Sequence, residues 1–167
     1  MKVVFFSESG IVGKVDRTFP NARNDIAWSI MMDADWCPYG KQPTGHYDLG
    51  VVTIPKTKPN LDVDSFRKYC DKVVVMQEGP HWYFQDYTME QQIWWYNALT
   101  EFDMLFAHNL KDVSYYKGLV NKPVYKMPTL MLTERLGITS RSEILVDNYG
   151  DLPSPNAYKE EKAIIGG

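Results

Sequence analysis

The sequence has no basic excess, almost no cysteine, no long apolar run and no glycine fingerprint. Lys and Arg number 18 against 21 Asp and Glu, a formal charge of −3. Binding of DNA or RNA by phosphate neutralisation is therefore not expected. Two cysteines cannot build a disulfide scaffold and point to a reducing compartment. The apolar run after Met1 extends only from Val3 to Phe6, too short for a signal peptide. Nothing approaches the roughly 20 apolar residues of a membrane helix. These absences lead us to expect a soluble, cytoplasmic protein with no membrane span. Gly-x-Gly-x-x-Gly, the P-loop, the Gly-x-Ser-x-Gly elbow and a Cys/His array for zinc are all missing.

What is present is a chain of 167 residues, 44% hydrophobic and 14% aromatic. That suffices for one domain with a sizeable core. Short apolar runs alternate with helical patterns. Lys2–Ser7, Asp48–Pro55, Lys72–Gln77 and Asp103–Ala107 read as strands covered on both faces, and Pro123–Met127 as a weaker fifth. Between them lie four helical segments. The first is capped by Asn24 or Asp25 and carries Ala27, Ile30, Met31 and Ala34 on one stripe. The second runs from about Leu61 to Cys70. The third opens with the capping box Thr88-x-x-Gln91 and buries Trp95, Ala98, Leu99 and Phe102. The fourth follows Asn109 and places Val113, Tyr116 and Val120 on its inner face. Such alternation predicts right-handed crossovers and a Rossmann-like three-layer α/β/α domain with a mostly parallel sheet of at least five strands. Strand order 3-2-1-4-5 is expected.

The domain is expected to span residues 1–146. Asp147–Asn156, with its glycine, prolines and turn formers, reads as a linker. Residues 147–167 then read as that linker and the start of a C-terminal domain, because Ala163–Gly167 is a strand followed by Gly-Gly.

Parallel sheets bind ligands at the carboxyl ends of their strands, which selects the residues to examine. After the first strand comes a loop to Arg23, long enough to be functional. It carries Ser9, Gly10, Gly13, Lys14 and Arg17, with glycines for close backbone approach and cations for phosphates. The third strand ends in Gln77-Glu78-Gly79-Pro80-His81-Trp82, where Glu78 or His81 can serve as a general base. Trp82, Tyr83 and Phe84 offer flat faces for stacking. His108 ends the fourth strand, and Asn109 reads as a helix cap. The triplets Asp33-Ala34-Asp35 and Asp62-Val63-Asp64 are read as lying on helices, where positions i and i+2 diverge, so no metal site is expected.

These residues resemble the N-terminal half of a two-domain glycosyltransferase of GT-B architecture. The likeness rests on the glycine-containing loop after the first strand, on Gln77-Glu78-Gly79, on His108-Asn109 and on Ile164-Ile165-Gly166-Gly167. Phe19–Asp35 resembles an N-terminal region of phage-type glycosyltransferases. The resemblance implies an acceptor-side domain that needs no cofactor or metal, with Glu78 or His81 as base. Ser9, Gly10, Gly13, Arg17, Trp82 and His108 would contact substrate. It further implies a nucleotide-sugar donor held mainly by a C-terminal domain, and little transfer by this chain alone. The competing reading is a non-catalytic Rossmann- or flavodoxin-like binding module using the same rim. A phosphoacceptor Asp ending a central strand, as in a receiver, is missing, and so are the ribose-binding acid and glycines of a dehydrogenase.

Overall fold

A computed structural model describes residues 1–17, 24–57, 59–77 and 80–130, with backbone only at 82 and 83. The runs richest in β-branched and aromatic residues form the centre of the sheet: β1 (Val3–Ser7), β4 (Tyr47–Ile54) and β5 (Cys70–Gln77). Around them lie β2 (Gly13–Lys14), β3 (Asp35–Pro38), β6 (Met104–Ala107) and β7 (Val124–Lys126). The order across the sheet is β2-β3-β1-β4-β5-β6-β7. Every pairing is parallel except that of β2 with β3. The fold is a Rossmann-like α/β/α domain.

Two apolar layers follow from the strand period of two residues. Val3 and Phe5 face one cluster with Val74 and Met76, while Val4 and Phe6 face the other with Val73 and Val75. Helix α1 (Asn24–Met31) covers the first layer through Ile26 and Trp28. Helices α2 (Val63–Arg67), α3 (Met89–Glu101) and α4 (Leu110–Leu119) cover the second. That division is what right-handed crossovers require when the chain moves across the sheet in opposite directions. On the face of the sheet under α2, Gly50 of β4 makes room for its neighbour on β5: an added Cβ would lie 2.7 Å from Cys70 Sγ.

Three expectations need correction. Counting the parallel strands alone, the order is 2-1-3-4-5-6 and not 3-2-1-4-5, because β3 was not anticipated and lies on the far side of β1. The direction of winding therefore reverses between β1 and β4, which places the switch point there. Helix α1 also ends earlier and faces differently. It buries Asp25, Ile26, Ala27 and Ser29, whereas Met31 is 56% exposed. Asp33 then takes a positive φ of 49°, and Asp35 opens β3, so the first acidic triplet is not helical. Asp62 precedes α2 as its N-cap, accepting from the Ser65 N–H.

The capping box of α3 forms as read, with Thr88 and Gln91 exchanging bonds, and Trp95, Ala98, Leu99 and Phe102 are buried behind it. The described residues fall within one compact unit, Met1–Met131. The linker at Asp147–Asn156 and the division at residues 146 and 147 lie outside the described residues, as does Ile164–Gly167.

Candidate functional site

Parallel pairing brings the loops after β1, β4, β5 and β6 to one end of the sheet. Ser9, Gly10, His81 and His108 therefore share that end. They do not share partners there.

The first group gathers on Trp36. Its indole N–H donates to the Ser9 carbonyl at 2.7 Å, and Gly10, at φ +122°, leaves no room for a Cβ above the ring. Gly13 has φ +110° and opens toward solvent in β2. The cations of this loop are engaged within the protein. Lys14 bridges Asp33 at 3.0 Å and Asp35 at 3.4 Å, and Arg17 reaches the Met31 sulfur at 4.0 Å. A lysine thus neutralises the carboxylates of the first acidic triplet. Among the described residues no group of three His, Cys, Asp or Glu side chains could hold a metal ion.

His108 is held on both ring nitrogens. The Asn24 Oδ1 accepts the Leu130 N–H at 2.7 Å, which turns the Asn24 amide nitrogen toward His108 Nδ1 at 3.2 Å. His108 Nδ1 lies against this amide and, at 3.4 Å, the Met127 carbonyl, while Nε2–H donates to the Gln77 carbonyl at 2.7 Å. The ring ties α1 to the carboxyl ends of β5 and β6. This geometry leaves neither nitrogen for a ligand while the ties hold.

His81 is different. It opens a 3₁₀ turn, His81–Phe84, after β5. Its Nδ1–H donates to Asp112 Oδ1 at 2.5 Å, and its backbone N–H donates to the same oxygen at 3.2 Å. The second oxygen of Asp112 accepts the Asn109 amide at 2.7 Å. Asp112 is only 2% exposed, and a buried carboxylate persists only with such partners. Because a carboxylate can only accept, Nδ1 carries a proton, and in the neutral ring the Nε2 lone pair is then available. The ring stacks on Tyr115 at 4.3 Å between centroids. Beside it lies a cavity of about 130 Å³ lined by His81, Phe84, Gln85, Gln92, Trp95 and Tyr115.

Glu78 and the Trp82 side chain lie outside the described residues. Phe84, read as a stacking face, is 1% exposed and stacks on Trp95 at 5.6 Å.

Sequence reasoning missed Asp112. Its signal was the pattern Asn109-x-x-Asp112 at the start of a helix after a strand, where a capping acid has a second oxygen to share. A larger groove of about 370 Å³ runs beside α2, lined by Tyr39, Lys41, Phe66, Lys68 and Tyr69 among others. It holds no paired acid and base.

The fold and this end of the sheet define an α/β protein with an aspartate-oriented histidine at the mouth of a small aromatic cavity. No protein-family model, no curated protein and no solved structure matches the chain. Among the described residues no helix is long and apolar enough to cross a membrane.

Proposed function

We propose that the chain forms the acceptor side of a phage-like GT-B glycosyltransferase that moves a sugar from a nucleotide-sugar donor to an acceptor hydroxyl. The observation that carries this reading is the pair formed by His81 and the buried Asp112 at the carboxyl end of the sheet. Asp112 fixes the ring and its tautomer, and Nε2 takes the hydroxyl proton as the oxygen attacks the anomeric carbon. The nucleoside diphosphate leaves with the electron pair of the broken bond. A general base so placed contributes about 10²–10⁴-fold. Glu78 is the second candidate for that role, on the resemblance and its place in the chain alone.

In this reading a C-terminal domain holds the donor, as in the architecture the sequence resembles. A cytoplasmic location goes with it, since both described thiols are free and buried. The test is transfer from a panel of nucleotide sugars, followed as nucleotide release, using this chain together with whatever its reading frame encodes after Gly167. His81→Ala is expected to lower turnover by about 10²-fold or more, Asp112→Asn by less, and the 167-residue chain alone is expected to be nearly silent. Turnover undiminished in His81→Ala refutes the assignment of the base. Ligand binding without turnover anywhere in the panel favours the binding-module reading.

A further inference from the structure

One crossover of the sheet has no helix. Helices α1, α2, α3 and α4 carry the chain from β1 to β3, β4 to β5, β5 to β6 and β6 to β7, whereas β3 reaches β4 through residues 39–46 alone. That segment contains Gly40, Pro43 and Gly45, all of which oppose a helix, and Gly40 takes a φ of +77°. A right-handed crossover from β3 to β4 passes over β1 on the face that α2 also covers. The groove of about 370 Å³ lies where that helix would, between the crossover, Phe6 of β1 and α2. Its size is within the roughly 300–1,000 Å³ of clefts that take small molecules. It shares no lining residue with the cavity beside His81.

The walls of this groove are accessible and held in place. Tyr39 and Tyr69 are half-buried and present ring surface, while Lys41, Asn60 and Lys68 are exposed. The Tyr39 hydroxyl donates to the Thr53 carbonyl, and its ring packs on Phe66 at 6.1 Å between centroids. Tyr69 donates its backbone N–H to the Phe66 carbonyl at 3.0 Å, and its carbonyl accepts the Tyr47 N–H at 2.9 Å. A turn closed by the Lys41 N–H on the Pro38 carbonyl, at 3.1 Å, fixes the base of the Lys41 side chain. Among the described residues no hydrogen bond or ion pair engages the Lys41 and Lys68 ammonium groups, the Asn60 amide or the Tyr69 hydroxyl. Each of these can donate. The single carboxylate of the lining, Asp62, is turned to α2, accepting the Ser65 N–H at 3.4 Å. The groove therefore offers donors and positive charge next to ring surface, the complement of an anion carried on a planar ring.

We infer that this groove binds a small organic anion, a planar ring bearing a phosphate or carboxylate, with Lys41 and Lys68 supplying the counter-charge and Tyr39 and Tyr69 flanking the ring. The inference goes beyond the transferase reading and does not rest on it, since neither His81 nor Asp112 takes part.

The test is an NMR titration of the ¹⁵N-labelled chain with adenosine 5′-monophosphate and with indole-3-acetate, the phosphate and carboxylate forms of the same chemistry. Adenosine supplies a ring without charge, and inorganic phosphate a charge without a ring, at matched ionic strength. The readout is the backbone N–H signals of Gly40, Lys41 and Tyr69, with those of Gly10 and His81 as references away from the groove. We expect the first three to move saturably with at least one of the two anions, while the references stay in place. The anion that moves them identifies the charged group. Adenosine and inorganic phosphate are expected to leave all five signals unmoved. Lys41→Gln and Lys68→Gln, both at exposed positions, are each expected to weaken binding about tenfold, the scale of one charge-assisted contact. Silence with both anions overturns the inference. So does an equal response to adenosine or to inorganic phosphate alone. Undiminished binding in the double variant, with its thermal unfolding unchanged, overturns it as well.

Discussion

Replacing Asp112 by Asn tests how firmly His81 is held. The carboxylate accepts three bonds: two at Oδ1 from the His81 backbone and Nδ1, and one at Oδ2 from Asn109. An amide of the same size keeps one acceptor oxygen. In one orientation its NH₂ faces the two His81 donors, and in the other it faces the Asn109 NH₂. Either way a buried donor loses its acceptor. A hydrogen bond to a charged group contributes about 1.5–3 kcal/mol, and a buried donor left without its acceptor costs about 1–3 kcal/mol. His81 is 23% exposed on its side chain, which tempers the upper figure. We therefore expect Asp112→Asn to destabilise the protein by about 2–4 kcal/mol in urea unfolding followed by tryptophan fluorescence. A double-mutant cycle with His81→Phe, which keeps the ring stacked on Tyr115 but removes the Nδ1 donor, isolates the side-chain bond. Its coupling should be about 1.5–3 kcal/mol. Coupling below about 0.5 kcal/mol would mean that water competes for the pair, and His81 would then have no fixed tautomer with which to act as a base.

Gly10→Ala is expected to cost about 2–4 kcal/mol in the same assay, because it combines a backbone conformation that is restricted almost to glycine with a clash against the Trp36 indole. Thr53→Val should raise stability by up to about 1 kcal/mol, since the Thr53 hydroxyl is buried with no partner among the described residues. Burial pushes the Asp103 carboxyl up, but the Val73 N–H at 2.8 Å and the Arg67 guanidinium at 2.9 Å hold it below the ordinary carboxylate range. The stability it contributes is then fully present above the unfolded value of about 3.9 and is lost as pH falls through the lower folded value. Asp103→Asn should flatten that acid limb of the stability curve.

Legibility in the sequence followed the range of the interactions. The capping box Thr88-x-x-Gln91 and the stripe Trp95, Ala98, Leu99 and Phe102 are settled within a few residues, and both were readable. Strand β3 was not. Its four residues follow a helix directly, and Ala34 extends that helix's apparent stripe, so only the turn at Asp33 separates the two. Strand order depends on which edge a segment reaches, and no local pattern encodes that. In the candidate site His81 was legible from its place after a strand. Its partner Asp112 lies 31 residues away and shows up locally only as a helix cap. His108, read from its place at the end of a strand as a substrate contact, is occupied by Asn24, 84 residues distant.

The outermost strands among the described residues are unusually short. β2 has two residues and β7 three, and each carries an exposed lysine, Lys14 and Lys126. Long unpaired strands at the sides of a sheet invite pairing with a neighbouring molecule, and brevity and lysine both oppose it. The segments most able to stack into fibrils are Val3–Phe6 and Val73–Met76, and both are fully paired in the interior. Among the described strands, both sides of the sheet thereby oppose association of the native protein. Aggregation should consequently follow unfolding, with a rate set by how often β5 is released and little dependence on how closely folded molecules are crowded together.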